Sequence, residues 1–295
     1  MTAVANALSI DVEEHFQAHA FESAIDRRDW ERQESRVVAN TQRILRLLAA
    51  HGAHATFFVL GWVADHHPQL VRDIAAGGHE VGTHGYAHQL VYRQTQAEFA
   101  DDLARSLDAI RRALGGDGVG QLIGYRAPAF SVTDDCRWAL DVVRGHGLRY
   151  DSSVVPVETS TGQVNAVLRG GKRRGVAGTG RFAARLAGGL WEFPVSTIRF
   201  AGRNWPVAGG GYFRLLPLWL TRGAIRRINA EGQPAIVYLH PWEFDPEQPA
   251  VGDAPALARF RHGVNVHRTE ARLARLLATL PFAPLRDVFA AQLAS

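Results

Sequence analysis

Two side chains that often decide a protein's chemistry are nearly missing from this sequence. Its 295 residues include a single cysteine, Cys136, and a single lysine, Lys172. One thiol cannot form an intrachain disulfide, and it excludes a metal site built on several cysteines. The positive charge is therefore almost entirely arginine, and any metal ligands must be histidines and carboxylates.

Long apolar segments are missing as well. No apolar run approaches the ~18 residues that span a bilayer, so we expect no transmembrane segment. Residues 1–10 have neither the basic start nor the apolar centre of a secretory signal. Together with the cysteine content, this predicts a cytoplasmic protein, for which peripheral contact with the inner membrane stays open.

The chain is mildly basic, with a net charge of +4. One basic cluster, residues 169–174, could meet an anionic polymer, a phosphate-bearing carrier or a membrane surface, but we favour a solvated loop. No nucleic-acid motif and no interleaved aromatic residues accompany this cluster. We therefore predict no nucleic-acid partner.

Strand and helix patterns alternate along most of the chain. Apolar runs predict strands at 7–12, 55–60, 122–126, 148–151, 190–195 and 235–240, and a further strand just before His84. Helical periodicity predicts helices at 36–51, 68–77, 95–114, 133–146, 217–231 and 269–280, and a short one after Pro284. This alternation is typical of parallel strands with right-handed crossovers, and it indicates one α/β domain over 1–295. We predict an irregular loop insertion at residues 158–189 and a helical C-terminal extension near residues 250–295.

Polar side chains follow four of the predicted strands, at the point where each strand ends. They are Asp11 and Glu13, the pair His84 and His88, Arg126, and His240. In a parallel α/β barrel the carboxyl ends of the strands converge on one face, where active sites are built. We therefore expect these side chains to share one site.

Such a set of residues is suited to metal-assisted hydrolysis. One carboxylate and two imidazoles can hold Zn²⁺ or another divalent metal, leaving positions open for water and substrate. A bound metal lowers the pKa of water and polarises a carbonyl. Asp11 could take the proton from that water, His240 could protonate a departing amine, and Arg126 could keep Asp11 ionised.

Each residue also has an ordinary structural interpretation. Asp11 could cap a helix, Arg126 could be a surface cation, and His240 could be a core histidine bonded to the backbone. A second histidine pair with the same spacing, His15 and His19, shows that the spacing alone is weak evidence. The joint placement at successive strand ends favours the catalytic interpretation.

Six short segments resemble the polysaccharide deacetylases of carbohydrate esterase family 4, and most closely the branch associated with exosortase and exopolysaccharide loci. They are Ser9-Ile-Asp-Val-Glu-Glu14, His84-Gly-Tyr-Ala-His88, Arg126-Ala-Pro-Ala-Phe130, Tyr150-Asp-Ser-Ser153, Gly209-Gly-Gly-Tyr-Phe-Arg214 and Leu239-His-Pro-Trp-Glu243. They extend over nearly the whole chain. The resemblance implies a distorted (β/α)7 barrel and metal-dependent N-deacetylation.

The resemblance also implies a role for each matching residue. Asp11 resembles the general base and Arg126 its partner, while His240 resembles the general acid. Asp151 is similar to the acid that tunes this histidine, and Ala129 to the residue whose amide binds the oxyanion. Glu13, His84 and His88 resemble the metal ligands. Zn²⁺ is the expected ion, with Co²⁺, Ni²⁺, Mn²⁺ and Fe²⁺ as alternatives.

Three departures from the family pattern bear on these roles. Val12 stands where many relatives have a second aspartate on the metal, so Glu13 must reach the ion instead. Ala129 replaces an aromatic residue, which keeps the amide but loses a side chain that packs on substrate. The segment from Glu158 to Lys172 is unrelated in character to that of the branch, and such loops shape substrate clefts.

The sequence therefore predicts a hydrolase of amide bonds that removes acetyl groups from N-acetylhexosamine units. Its partner would be an N-acetylated polysaccharide, such as an exopolysaccharide, or a lipid-linked oligosaccharide precursor. The alternatives are an amidohydrolase acting on a small amide or a peptidoglycan-type substrate, and an inactive carbohydrate-binding protein. Retention of Asp11 and His240 favours an active enzyme over the last of these.

Overall fold

The computed structural model describes residues 4–115, 122–157 and 179–295. Its strands in chain order are β1 (Asn6–Val12), β2 (Thr56–Val59), β3 (Glu80–Thr83), β4 (Gly124–Tyr125), β5 (Tyr150–Asp151), β6 (Ala184–Arg185), β7 (Trp191–Glu192), β8 (Thr197–Phe200), β9 (Arg203–Pro206), β10 (Ile236–Leu239) and β11 (Phe282–Ala283). The main sheet has the order β10-β1-β2-β3-β4-β5-β7-β6, with β11 beside β1. All pairs of this sheet are parallel except β6 with β7.

The helices form a layer on the outside of this curled sheet. They are α1 (Val37–Ala50), α2 (Gly61–His66), α3 (Pro68–Ala76), α4 (Gln96–Leu114), α5 (Trp138–Gly145), α6 (Gly210–Leu215), α7 (Leu218–Ala230), α8 (Ala256–Gly263), α9 (Thr269–Leu277), α10 (Leu285–Val288) and α11 (Ala290–Leu293). The predicted α/β class with a curled parallel sheet is confirmed. No helix in the described parts of the chain has the length and apolar character needed to cross a membrane.

Strands β1 to β5 are buried on both faces, which explains why this part of the sequence contains continuous apolar runs. Side chains alternate along a strand, so Leu8 and Ile10 of β1 pack under the helices in the main core. Ala7, on the opposite face, joins a second cluster inside the curl with Phe58 and Phe193. Asp11 belongs to this inner face, so the strand period alone directs its carboxylate to the interior.

The curl is completed by single contacts rather than by a regular strand ladder. Beyond β7, the Ser196 amide donates to the Ile236 carbonyl (3.2 Å), and the Ile236 amide donates to Ser196 Oγ (2.7 Å). Gly209 then bridges to Tyr238, and a Cβ at this glycine would lie 2.1 Å from the tyrosine ring. This irregular junction makes the barrel a distorted one.

Several elements were not visible in the sequence pattern. They include the antiparallel hairpin of β8 and β9, helices α6 and α8, and β11. The C-terminal extension, predicted to be helical, also contributes β11 to the main sheet beside Asn6 and Ala7. Residues 158–178 of the predicted insertion lie outside the described residues, and residues 184–185 at its end form β6.

Candidate functional site

Glu13, His84 and His88 meet at the carboxyl ends of β1 and β3. Their nearest ligand atoms all lie within 4.8 Å of one another, and all three side chains are buried. His88 adopts a left-handed backbone conformation, with φ of 50°. That conformation is uncommon outside glycine, and it turns the second imidazole toward the first. The set could hold a metal ion.

Two hydrogen bonds orient these groups. His84 Nδ1 lies 2.8 Å from the Arg126 carbonyl oxygen, so Nδ1 carries the proton and the lone pair of Nε2 faces Glu13. Burial lowers the pKa of His84 to about 4, and the neighbouring His88 contributes to this shift, so the imidazole is neutral. The indole of Trp242 donates to Glu13 Oε1 (3.1 Å) and fixes the carboxylate.

The surroundings of the second carboxylate oxygen of Glu13, Oε2, indicate that these residues suit a cation. His88 Nε2 lies 2.7 Å from Oε2, yet Oε2 is buried without an aligned hydrogen bond among the described residues. Burial by itself would raise the pKa of Glu13, but His88, His240 and His84 outweigh it and hold this pKa well below its usual range. An ionised carboxylate and two imidazole nitrogens gathered around one point form a donor set suited to a divalent cation.

Asp11 is held by Arg126 across the inside of the sheet. Arg126 Nη1 donates to Asp11 Oδ1 (2.7 Å) and to Ser9 Oγ (2.7 Å). Its other nitrogens donate to Ser152, at the carbonyl (3.0 Å) and the hydroxyl (2.8 Å). Four hydrogen bonds and a fully buried guanidinium fix the geometry of the pair, and Asp11 Oδ2 faces His240 Nε2 at 3.9 Å.

His240 follows β10 and lies opposite the two histidines. Its side chain is 16% exposed, against 2% for Asp11, so a substrate can reach it. Its Nδ1 donates to Glu243 Oε1 (2.8 Å) within one turn, Pro241–Phe244. Burial alone would lower the pKa of His240, but the hydrogen bond with Glu243 and the charges of Glu13, Glu243 and Asp11 raise it to about 9. This imidazole therefore carries a proton at neutral pH.

Glu243 is itself anchored by a buried arginine. Arg214 Nε donates to Glu243 Oε2 (2.7 Å), and the other guanidinium nitrogens donate to the carbonyls of Arg261, His262 and Val264. Burial would raise the pKa of Glu243, but Arg214 and His240 lower it. The carboxylate beside His240 is thus ionised and fixed.

Asp151 was expected to tune His240, and the contacts described for it are with other groups. Asp151 lies on β5, where Ser153 Oγ donates to its Oδ1 (2.5 Å), and it is packed against Glu192. Ser153 Oγ in turn accepts the Ala127 amide (2.7 Å), so Asp151 supports the loop that carries Arg126. The partner of His240 is Glu243, which lies three residues further along the chain in the short 3-10 helix that follows the histidine.

Ala129 lies at the edge of an open cavity next to this set. Ala129 and Phe130 both have left-handed backbones, with φ of 50° and 53°. The other walls include Val195, Pro206, Tyr212 and Tyr238, and the Tyr238 ring packs edge-on against His240 at 5.7 Å. The cavity is mainly apolar and adjoins the proton-carrying imidazole.

Sequence reasoning did not foresee the contacts that three residues make in the site: Trp242, Glu243 and Arg214. The signal for the first two was available, because both follow His240 in the same four-residue segment. The second histidine pair is not part of the ligand group: His19 Nδ1 contacts Glu22 (2.8 Å), and His15 is not among the grouped ligands.

Comparison with protein families divides the chain in two. Residues 31–150 match polysaccharide deacetylase, and residues 152–290 match a domain of unknown function, DUF3473. A chitooligosaccharide deacetylase from Bradyrhizobium is 38% identical over 73 residues, which is 25% of this chain and 33% of that protein. A peptidoglycan-N-acetylglucosamine deacetylase from Bacillus cereus is 33% identical over 75 residues, which is 25% of this chain and 27% of that protein. The matches thus span about a third or less of these relatives.

Solved structures share the fold over nearly the whole chain. A Mycobacterium smegmatis protein proposed to be a polysaccharide deacetylase has a TM-score of 0.60 and 19% identity, covering 100% of this chain and 92% of that one. A family 4 carbohydrate esterase from Streptomyces lividans, in complex with acetate, has a TM-score of 0.50 and 17% identity, covering 96% and 92%. At these identities the likeness concerns the fold.

Proposed function

Because residues 31–150 match the polysaccharide deacetylase family, we propose that this chain is a metal-dependent N-deacetylase. Its substrate would be the N-acetylhexosamine units of an exopolysaccharide or of its lipid-linked precursor. The observation that carries the proposal is the convergence of three groups: a carboxylate–imidazole set, an arginine-held aspartate, and a protonated histidine.

Glu13, His84 and His88 would hold the metal, with zinc as the first candidate and Co²⁺, Ni²⁺, Mn²⁺ and Fe²⁺ as the others. When bound, a divalent ion would supply Lewis acidity toward the acetyl carbonyl and lower the pKa of water. Trp242 and the Arg126 carbonyl would keep the ligands in position.

Asp11 would act as the base that accepts a proton from water attacking the acetyl carbon. The Arg126 guanidinium occupies Oδ1, which leaves Oδ2 directed into the site as the accepting oxygen. Asp11 therefore has the orientation that a general base needs.

His240 would act as the acid on the other side. Protonated at neutral pH and bonded through Nδ1 to Glu243, it can donate the Nε2 proton to the nitrogen of the breaking amide bond. A carbon–oxygen bond forms, the carbon–nitrogen bond breaks, and acetate and the free amine leave. The backbone amide of Ala129 would bind the oxygen of the acetyl carbonyl, a role that is taken from the family resemblance.

The adjacent cavity supports a carbohydrate substrate. Its apolar wall, with Phe130 and Tyr238 next to His240, can accept the methyl group of an acetamide and the face of a sugar ring. Peptidoglycan is the second candidate polymer, because one similar protein is named a peptidoglycan-N-acetylglucosamine deacetylase. The Asp11 and His240 geometry argues against an inactive binding protein.

The test is mass spectrometry for loss of acetyl groups over a panel of N-acetylated oligosaccharides, lipid-linked sugars and peptidoglycan fragments. We expect deacetylation of an exopolysaccharide fragment by the zinc-loaded protein and none by Asp11→Asn. No loss of acetyl from any member of the panel would overturn the proposal. Loss from peptidoglycan fragments alone would favour the second candidate polymer.

A further inference from the structure

An apolar surface lies beside the cleft, on the hairpin of β8 and β9 and on helices α6 and α7. Nine large apolar side chains are exposed among the described residues, and six of them are on these elements: Phe200, Trp205, Tyr212, Leu215, Trp219 and Leu220. Phe200 is 63% exposed and Trp219 is 65% exposed. We call these six residues the aromatic face. A concentration of this kind on a soluble surface marks an interaction site.

The elements of the aromatic face contact one another. Across the hairpin Ile198 pairs with Trp205 and Phe200 pairs with Arg203, so the Phe200 and Trp205 side chains leave the hairpin on the same face. Pro206 at the end of β9 and Tyr212 on α6 line the same cavity. Helix α7 packs against β8, and Arg181 ties them by donating to the Thr197 carbonyl (3.1 Å) and to Glu231 (3.0 Å). These contacts place the hairpin next to helices α6 and α7.

The charge of this surface has one sign. No Asp or Glu occurs between Glu192 and Glu231, while the same stretch holds Arg199, Arg203, Arg214, Arg222, Arg226 and Arg227. Arg214 is buried against Glu243. None of the other five forms an ion pair with a described residue. An exposed surface of aromatic residues and unpaired arginines complements a layer of anionic head groups over apolar chains.

The same charge disfavours a second copy of this chain as the occupant. In a two-fold dimer the patch would face itself, which would bring like-charged arginines together. An acidic protein would satisfy the arginines but not the six exposed apolar side chains. Aromatic residues are favoured at the interface between head groups and acyl chains, where both requirements are met.

We propose that the aromatic face docks on the surface of an anionic phospholipid bilayer. Phe200, Trp205 and Trp219 would enter the head-group layer, with the arginines on the lipid phosphates. Because Pro206 and Tyr212 line the cavity, docking would hold the cleft close to the membrane surface. The surface suits a substrate carried on the bilayer, but binding itself does not depend on deacetylase activity.

The experiment is co-sedimentation with vesicles, one set of phosphatidylglycerol with phosphatidylethanolamine and one set of phosphatidylcholine alone. The wild-type protein should bind the anionic vesicles, and less so at high salt. The paired substitution Phe200→Ser with Arg203→Gln should weaken this binding on the order of tenfold. Val38→Ser with Arg46→Gln, on exposed positions of α1, is the matched control and should bind like the wild type.

A second pair, Trp219→Ser with Arg226→Gln on α7, repeats the test if the hairpin variant fails to fold, as judged by circular dichroism. Absence of vesicle binding by the wild type would overturn the proposal. So would an equal loss in the α1 control, or equal binding to the two kinds of vesicle. If light scattering shows a dimer that the hairpin substitutions dissociate, without vesicle binding, the face is a self-association interface instead.

Discussion

Glu243 lies against His240 within a single turn, with 2.8 Å between Oε1 and Nδ1. The Glu243 carboxylate also accepts the His240 backbone amide (3.0 Å) and the Arg214 guanidinium (2.7 Å). One of the charges that raise the pKa of His240 is thus supplied locally and fixed by a buried cation. This arrangement makes the proton donor separable from the metal ligands by mutation.

Glu243→Gln should move the alkaline limb of the activity profile to lower pH. A general acid works in its protonated form, so activity is lost as pH rises through its pKa, which is about 9 in the wild type. Removing the Glu243 charge lowers that pKa, by roughly 1–2 units for a close ion pair. The measurement is kcat against pH at saturating zinc. Glu247→Gln, an exposed neighbour, should leave the limb unchanged. An unmoved limb in Glu243→Gln would refute the coupling.

Glu13→Ala should abolish tight zinc binding, because Glu13 supplies the anionic ligand of the set. His15→Ala is the matched control, since His15 is a nearby buried histidine outside the group. Titration calorimetry with zinc and elemental analysis measure the result without any substrate. If His15→Ala lost the metal and Glu13→Ala kept it, the wrong ligands have been assigned.

Asp11→Asn should keep full zinc occupancy and lose turnover at every zinc concentration. An amide cannot accept the proton from water, and removal of a general base costs roughly 10²–10⁴ in rate. Glu13→Ala should differ, with activity partly restored by excess zinc. Parallel zinc titrations of the two variants separate the roles. A metal-free Asp11→Asn protein would show that Asp11 is a ligand.

Trp242→Phe should lower zinc affinity by roughly 10–100-fold, the usual cost of losing a group that orients a ligand. The ring volume is largely kept, but the donor to Glu13 Oε1 disappears. Competition with a chelator of known affinity gives the measurement. Trp138→Phe, on α5 and away from the site, is the control. Equal affinities for Trp242→Phe and wild type would mean that the indole only fills space.

Arg214→Met should destabilise the fold by about 3–5 kcal/mol, because it leaves the Glu243 charge buried without its cation. The double variant Arg214→Met with Glu243→Met should lose less, since both charges of the fully buried pair are removed together. Urea denaturation followed by circular dichroism gives both values. Arg222→Met, on the surface of α7, should change stability by under about 0.5 kcal/mol. A double variant weaker than Arg214→Met alone would contradict this account.

The sequence predicted the class of fold and the convergence of the strand ends for physical reasons. Burial on both faces gives apolar runs, and the strand period of two sends Asp11 inward while Val12 packs in the core. The glycine and proline positions marked most helix ends within a few residues. These features depend on residues that are close together in the chain, so they can be predicted from one sequence.

What could not be predicted depends on contacts across the fold. Arg214 reaches Glu243 only because α6 follows the irregular junction at Gly209. Asp151 was placed by family resemblance, but its side chain is captured by Ser153 of its own segment. The aromatic residues of the β8–β9 hairpin are exposed instead of buried. Its sequence therefore lacks the amphipathic pattern from which strands are predicted.

Strand β1 has ladder partners along its full length, with β10 on one side and β2 and β11 on the other. All seven of its residues are buried. Amide protons in such a strand exchange only when the whole domain opens, whereas shorter strands at the margin exchange through local opening. Asp11 lies on this strand and Glu13 directly follows it. Both therefore belong to the part of the molecule that we expect to open last. The positions of the proposed base and the proposed metal ligand should therefore persist when the β6 edge loosens.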